Sequence, residues 1–173
     1  MKENNMQTLV RAILIIGIAL WMSIIMINNI SDPGTQIFLL SKMYSMELFK
    51  NDPMMGQGLL SRAIDWPPMA VITLLIVVIY EVTSVILLWR SAISYVFALK
   101  SNDKGAELNA LKRANIALSS LLFLWLFFMC GGLFFGYWLK MGSVQTVHVH
   151  LLIVTLIAFI FMNYDSYSLN KSV

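Results

Sequence analysis

Glu81 is the residue of this sequence best placed to do unusual chemistry. Of nine acids it alone sits well inside a long apolar run, PMAVITLLIVVIYEVTSVILLW from Pro68 to Trp89. A charged side chain at mid-membrane costs about 2.5–3.5 kcal/mol on insertion scales, so such a residue faces other helices or a cavity and has a partner or a task. Two readings fit. Glu81 relays a proton or cation, or it is a structural carboxylic acid hydrogen-bonded across helices or to a partner subunit. Counted at 1.5 Å per residue, it lies roughly 20 Å from Pro68. That is the cytoplasmic half of the span, with Ser120 and Thr155 of other runs within reach.

His148 and His150 are the only imidazoles. On a helix, positions i and i+2 point about 200° apart, so the two cannot clamp one metal from one face. They read as polar residues at the headgroup level, far from Glu81 in depth, with Gln145 and His148 sharing a face at i, i+3. Met43, Met46, Met54, Met55 and Met141 fall on the same predicted outer side. Thioethers with imidazole select Cu(I), but methionine is also a flexible filler of apolar gaps. The lone cysteine, Cys130, excludes an intrachain disulfide or thiol cluster. Gly132-x-x-x-Gly136 allows close helix approach, inside a bundle or between copies. No phosphate-binding glycine loop, zinc-protease motif or nucleophile elbow is present. Asn28, Asp32, Glu47 and Arg62 could form an outer-face catalytic group, yet a capped, turn-rich loop needs the same residues. No cofactor or metal is assigned, and the chain reads as a non-enzyme.

The elements that position these residues follow from composition. The chain has 173 residues, 59% hydrophobic and 12% charged, with mean hydropathy +0.77. Soluble domains carry about 25% charged residues. Half that cannot cover a water-soluble globule, which excludes a soluble enzyme, a nucleic-acid binder and a disordered chain. Four apolar runs, about Leu9–Ile27, Pro68–Trp89, Ile116–Gly136 and Val144–Met162, each approach the roughly 20 residues a helix needs to cross a bilayer. The expected fold is all-α: a polytopic four-transmembrane-helix bundle forming a single membrane domain over residues 1–173. The lipid bilayer is its main partner, other membrane proteins or further copies are open, and nucleic acid is not expected.

Lys and Arg set orientation. Lys2, Arg11, Arg90, Lys100, Lys104, Lys112, Arg113 and Lys171 lie on one side; Lys42, Lys50, Arg62 and Lys140 lie on the other. Eight against four places both termini and the Arg90–Asn115 loop in the cytoplasm, as for a bacterial inner-membrane protein. The outer loop, Asn28–Pro67, holds or borders all four prolines. Asn28 to Gly34 supplies turn residues that end helix 1. Thr35–Phe49 reads as an interfacial helix, and Gly56–Ile64 as a second short one. Pro67 and Pro68 suit the first turn of helix 2. Ser91–Leu99 reads as an inward extension of that helix, Ser101–Gly105 as a turn, and Ala106–Asn115 as the start of helix 3.

The pattern resembles the bacterial predicted small integral membrane proteins of domain-of-unknown-function family 2165. The resemblance runs from about Val10 to Asp165. It rests on Asn28-Asn29-Ile30-Ser31-Asp32, Tyr44-Ser45-Met46-Glu47, Arg62-Ala63-Ile64, Glu81, Trp125, Gly131-Gly132, Tyr137-Trp138 and Phe161-Met162-Asn163-Tyr164-Asp165. Where it implies an acid after the glycine pair, this chain has Leu133. Of a Trp-Asn-Gly-Gln stretch it keeps only Gln145. The resemblance implies four transmembrane helices and supplies no activity. The leading expectation is an accessory or scaffold subunit of a membrane complex; the alternative is a small transporter or proton/cation-coupling component using Glu81.

Overall fold

The computed structural model describes residues 3–101 and 103–169, with side chains from Met6 to Ser101 and from Asp103 to Tyr164. Lys2, Asn102, Lys171, both chain termini and the side chain of Asp165 lie outside these described residues. Six helices form: α1 (Glu3–Ser31), α2 (Pro33–Tyr44), α3 (Glu47–Lys50), α4 (Pro68–Ser101), α5 (Lys104–Phe134) and α6 (Gly142–Leu169). Two 3-10 turns, Gln57–Arg62 and Tyr137–Leu139, join them, and no strand occurs among the described residues. α1, α4, α5 and α6 are long and apolar enough to cross a membrane. The chain is an all-α, four-span bundle.

The long helices pack in chain order: α1 on α4, α4 on α5, α5 on α6. Ser23 of α1 accepts a hydrogen bond from Trp89 Nε1 of α4 at 3.1 Å. Ser84 and Ser120 pair across α4 and α5 at 2.6 Å. Asn115 and Asn163 exchange amide hydrogen bonds of 2.8 and 2.9 Å across α5 and α6. Among the described residues α1 and α6 are not one of the closely packed helix pairs, although Met22 of α1 and Leu151 of α6 belong to the same buried cluster. One end carries the α4–α5 connection and is called the hairpin end. The other carries residues 32–67 and 135–141 and is called the cap end.

Toward the hairpin end the contacts are made by small residues. Ser91, Ala92, Ala98, Ala110, Ala114 and Ala117 are all buried. Small side chains let helix backbones approach, which is the main source of contact energy where lipid is the solvent. Here Arg11 Nη1 meets Glu107 Oε1 at 2.9 Å, the two side chains 5% and 22% exposed. Larger apolar residues point outward instead: Ile13, Ile79, Phe123 and Ile157 are each more than 60% exposed, as lipid-facing positions are.

Three sequence expectations change at the cap end. Asn28 to Ser31 do not end helix 1; α1 runs through them, and the break falls at Asp32. The Asp32 carboxylate accepts from the Thr35 amide and Pro33 opens α2, a residue whose missing N–H costs nothing in a first turn. The expected Thr35–Phe49 helix is split. Met46 adopts a left-handed φ of 50°, so α2 stops at Tyr44 and only the single turn Glu47–Lys50 follows. The Gly132-x-x-x-Gly136 pair is not one helix face: α5 ends at Phe134, and Gly136 turns left-handed at φ 64°. Its missing side chain admits Leu59, 2.6 Å from where a Cβ would stand.

The cap has a core of its own. Tyr44, Met46, Phe49, Ala70 and Phe135 are buried together, with Leu59 and Ile64 packed against them. Tyr44 meets Phe135 edge-on at 5.0 Å, and its hydroxyl shares a 2.8 Å hydrogen bond with Thr73 of α4. Lys140 pairs with Asp52, and Arg62 donates to the Phe134 carbonyl at 2.8 Å. α1 and α2 thus form one discontinuous strip along α4, touching it at Glu81 and again at Thr73.

Candidate functional site

Glu81 is 1% exposed. Its Oε1 accepts from Asn29 Nδ2 at 2.7 Å. Its Oε2 is buried with no partner. The chain therefore holds this carboxyl in place from one side and leaves the other oxygen uncommitted. A buried acceptor without a partner is costly, and the surroundings show where a partner would come from. Glu81 borders a cavity of about 840 Å³ lined from α1, α2, α4, α5 and α6. That volume falls in the range of about 300–1,000 Å³ usual for small-molecule sites.

The cavity wall is largely apolar, with aromatic rings among aliphatic side chains. Trp21, Trp125, Phe128 and Tyr137 contribute to it, and no Lys or Arg is among the lining residues. Polar lining groups are few: Asn29, Gln36, Thr73, Glu81, His148 and His150. The half-buried His148 stacks on Phe128 at 4.7 Å and joins the Tyr137 hydroxyl through Nδ1 at 2.9 Å. Burial pushes the Tyr137 phenol up to about 12, so it stays protonated at neutral pH. Trp125 is fixed by a 3.1 Å hydrogen bond to Thr155. Gly132 makes this arrangement possible. A Cβ there would stand 1.9 Å from the Tyr137 ring and 2.5 Å from Gln145 Oε1.

The mouth of the cavity is marked by exposed lining residues. Trp21, Phe127, Phe134 and Val147 are 41–55% exposed, and they lie in the apolar spans of α1, α5 and α6. The exposed part of the lining thus lies on α1, α5 and α6 and faces lipid.

A family model described as "Predicted small integral membrane protein (DUF2165)" matches residues 7–165. The chain belongs to the DUF2165 family. No curated protein matches it and no solved structure matches it. DUF2165 membership carries multi-pass insertion in a bilayer and leaves the role to be read from the site.

The residues singled out in this DUF2165 sequence fall in different places. Glu81 and His148 border the same cavity, as does His150. The cavity is large enough to be bordered both by Glu81 of α4 and by the first turns of α6. Ser120 pairs with Ser84, one turn along α4 from Glu81, and Thr155 accepts from Trp125, which borders the same cavity. Asn28 is exposed, and its neighbour Asn29 meets Glu81.

Asp32, Glu47 and Arg62 each close a separate local contact: the α2 cap, an ion pair with Lys42, and the end of α5. The hydroxyl and amide of Thr35 hold the Asp32 carboxyl below the ordinary range. Gln145 lies against Gly132 with Nε2 on Met129 Sδ at 3.1 Å, while its Oε1 is buried without a partner. No group of three or more His, Cys, Asp or Glu able to hold a metal occurs among the described residues. Of the outer methionines, Met43 and Met141 border the cavity with His148 and His150, whereas Met46 is in the cap core, 1% exposed, and Met54 is 87% exposed.

Asn29, Trp21, Trp125 and Tyr137 were not read from sequence as site residues. The signal available was the aromatic density of LFLWLFF, Leu122–Phe128, beside a span carrying one acid.

Proposed function

We propose that the protein is a non-enzymatic, membrane-embedded binding or transport component that takes a small lipophilic molecule from the bilayer into the Glu81 cavity. One observation carries this reading: the uncommitted Glu81 oxygen borders a cavity of about 840 Å³. A purely structural carboxyl is satisfied from both sides in a packed interface. His148, on the α6 side of the same cavity, is a second titratable group bordering it. The excess of Lys and Arg beside the hairpin end supports an inner-membrane orientation with both termini cytoplasmic.

The test uses Gly131, which lines the cavity and has open space around it. Gly131→Leu adds bulk to the α5 wall of the cavity and leaves Glu81 on α4 unaltered. Purified wild type should release a lipophilic molecule on solvent extraction, identified by mass spectrometry, and Gly131→Leu should release none. Equal yields from both proteins, or nothing from either, would overturn the reading.

A second reading, an accessory subunit, is favoured by the hairpin end. Ile93 and Phe97 are 52% and 63% exposed on the part of α4 beyond Arg90, the residue that marks the end of its apolar run. A partner helix would cover them. Purification in mild detergent with mass spectrometry tests this; a lone monomer would remove it.

A further inference from the structure

We infer that the occupant of the cavity is an organic cation: an apolar, preferably aromatic body with a protonated amine that pairs with Glu81. The inference rests on the binding reading above and names its ligand class.

Four observations converge. First, the lining contains one carboxyl and neither Lys nor Arg, with His148 and His150 its only other ionisable nitrogens, so an ionised Glu81 has no permanent cation on the wall. Asn29 gives it a neutral hydrogen bond only, to Oε1. Second, Oε2 is the atom left over, and one acceptor oxygen beside a fixed partner is what a single ammonium N–H needs. Third, the walls present aromatic rings from α1 (Trp21) and α5 (Trp125, Phe128), with Tyr44 and Tyr137 toward the cap. Ring faces attract cations, most strongly when the pair is desolvated. An anionic ligand would meet Glu81 with no opposing charge, and a zwitterion would bring its own carboxylate into the same wall. Fourth, the mouth faces lipid through Trp21, Phe127 and Val147. A hydrophilic cation would not arrive by that route, whereas an amphiphile concentrated in the bilayer would.

His148 adds orientation. Its Nδ1 is engaged by Tyr137, and its ring lies flat on Phe128, so it stands as a fixed wall on the α6 side. A ligand held at Glu81 on α4 reaches toward Trp125 and Phe128 on α5 and His148 on α6.

The experiment uses full-length protein in lipid nanodiscs and two probes of one shape, 4-phenylbutylamine and 4-phenylbutan-1-ol. They differ in a charged ammonium against a neutral hydroxyl, and both can donate to an oxygen. Isothermal titration calorimetry, with empty nanodiscs as reference, should show the amine binding wild type at least tenfold more tightly than the alcohol. Glu81→Gln keeps the shape and the contact with Asn29 but removes the charge. It should bring the amine down to the affinity of the alcohol, leaving the alcohol unchanged. Glu81→Asp should retain the preference for the amine, and this variant serves if Glu81→Gln fails to fold. Gly131→Leu should lose both probes. Equal binding of amine and alcohol to wild type, lost in Gly131→Leu, would overturn the cation class and leave the cavity reading standing. Binding of neither probe, or binding that Gly131→Leu does not change, would overturn both.

Discussion

At the hairpin end, Arg11 and Glu107 face each other at 2.9 Å, enclosed by alanine and serine contacts, with the buried Tyr95 hydroxyl close by. Toward the middle of α4, Glu81 has one amide for company and a cavity of about 840 Å³ beside it. Both regions take an acid out of full solvent contact. One gives it a counter-charge among small residues. The other gives it a neutral amide and a cavity with aromatic rings in its wall. The difference teaches that burial alone does not mark a functional acid; an unfilled valence next to unfilled space does.

The strongest way to break this comparison is at the hairpin end. Removing one member of a nearly buried pair leaves the other uncompensated, so Arg11→Met should cost about 3 kcal/mol. The double variant Arg11→Met with Glu107→Leu should recover most of that, measured by thermal unfolding in detergent. A double variant as unstable as the sum of the singles would show that the pair is not a closed unit.

The cap end should respond to shape before charge. Gly132→Ala drives a Cβ into the Tyr137 ring and should lose about 1–3 kcal/mol by overpacking. Its neighbour Gly131 has open space, so Gly131→Ala should be neutral or gain up to about 1 kcal/mol. Equal effects at the two glycines would mean that Tyr137 is not seated as described. Glu81→Gln, which removes no counter-charge, should change stability by about 1 kcal/mol or less, well below the loss from Glu107→Gln. A reversal of that order would make Glu81 the structural acid and Glu107 the adaptable one.

The smallest effect is on pH. Hydrogen bonds from Lys140, then from the Met54 amide, hold the Asp52 carboxyl below its ordinary value of 3.8. A lowered folded-state pKa adds stability that is fully present above the ordinary value and lost as pH falls through the lowered one. The unfolding temperatures of wild type and Asp52→Asn should therefore differ slightly near neutral pH and converge below about pH 4. A gap that persists in acid would locate the effect elsewhere.

Much of the fold was legible because lipid imposes it. A bilayer demands about 20 apolar residues per helix, and four runs meet that demand without competition from any other pattern. Glu81 was legible for the same reason, as a charge where none belongs. Its partner was not. Asn28 and Asn29 are adjacent and chemically identical, and only the rotation of α1 against α4 decides which amide points inward. Arg11 lies near the end of an apolar run and reads as an interface charge; its partner stands 96 positions away. The cavity was the least legible feature. It is bordered by helices that are not all closely packed on one another, and a sequence pattern records contacts better than gaps. Gly132 illustrates this: it looks like half of a helix-packing motif, and its neighbours prove to be Tyr137 and Gln145.

The bond between Asn29 and Glu81 spans 52 positions, and it runs in a particular direction of time. Chains are made from the N-terminus. Helix α1 is therefore already lodged in the bilayer when α4 emerges with its awkward carboxyl. The amide of Asn29 is in position first, as a docking point for a segment that would otherwise enter lipid bearing an unsatisfied acid. On this view the same contact that later poises Glu81 beside the cavity first serves biogenesis, easing the insertion of the second span.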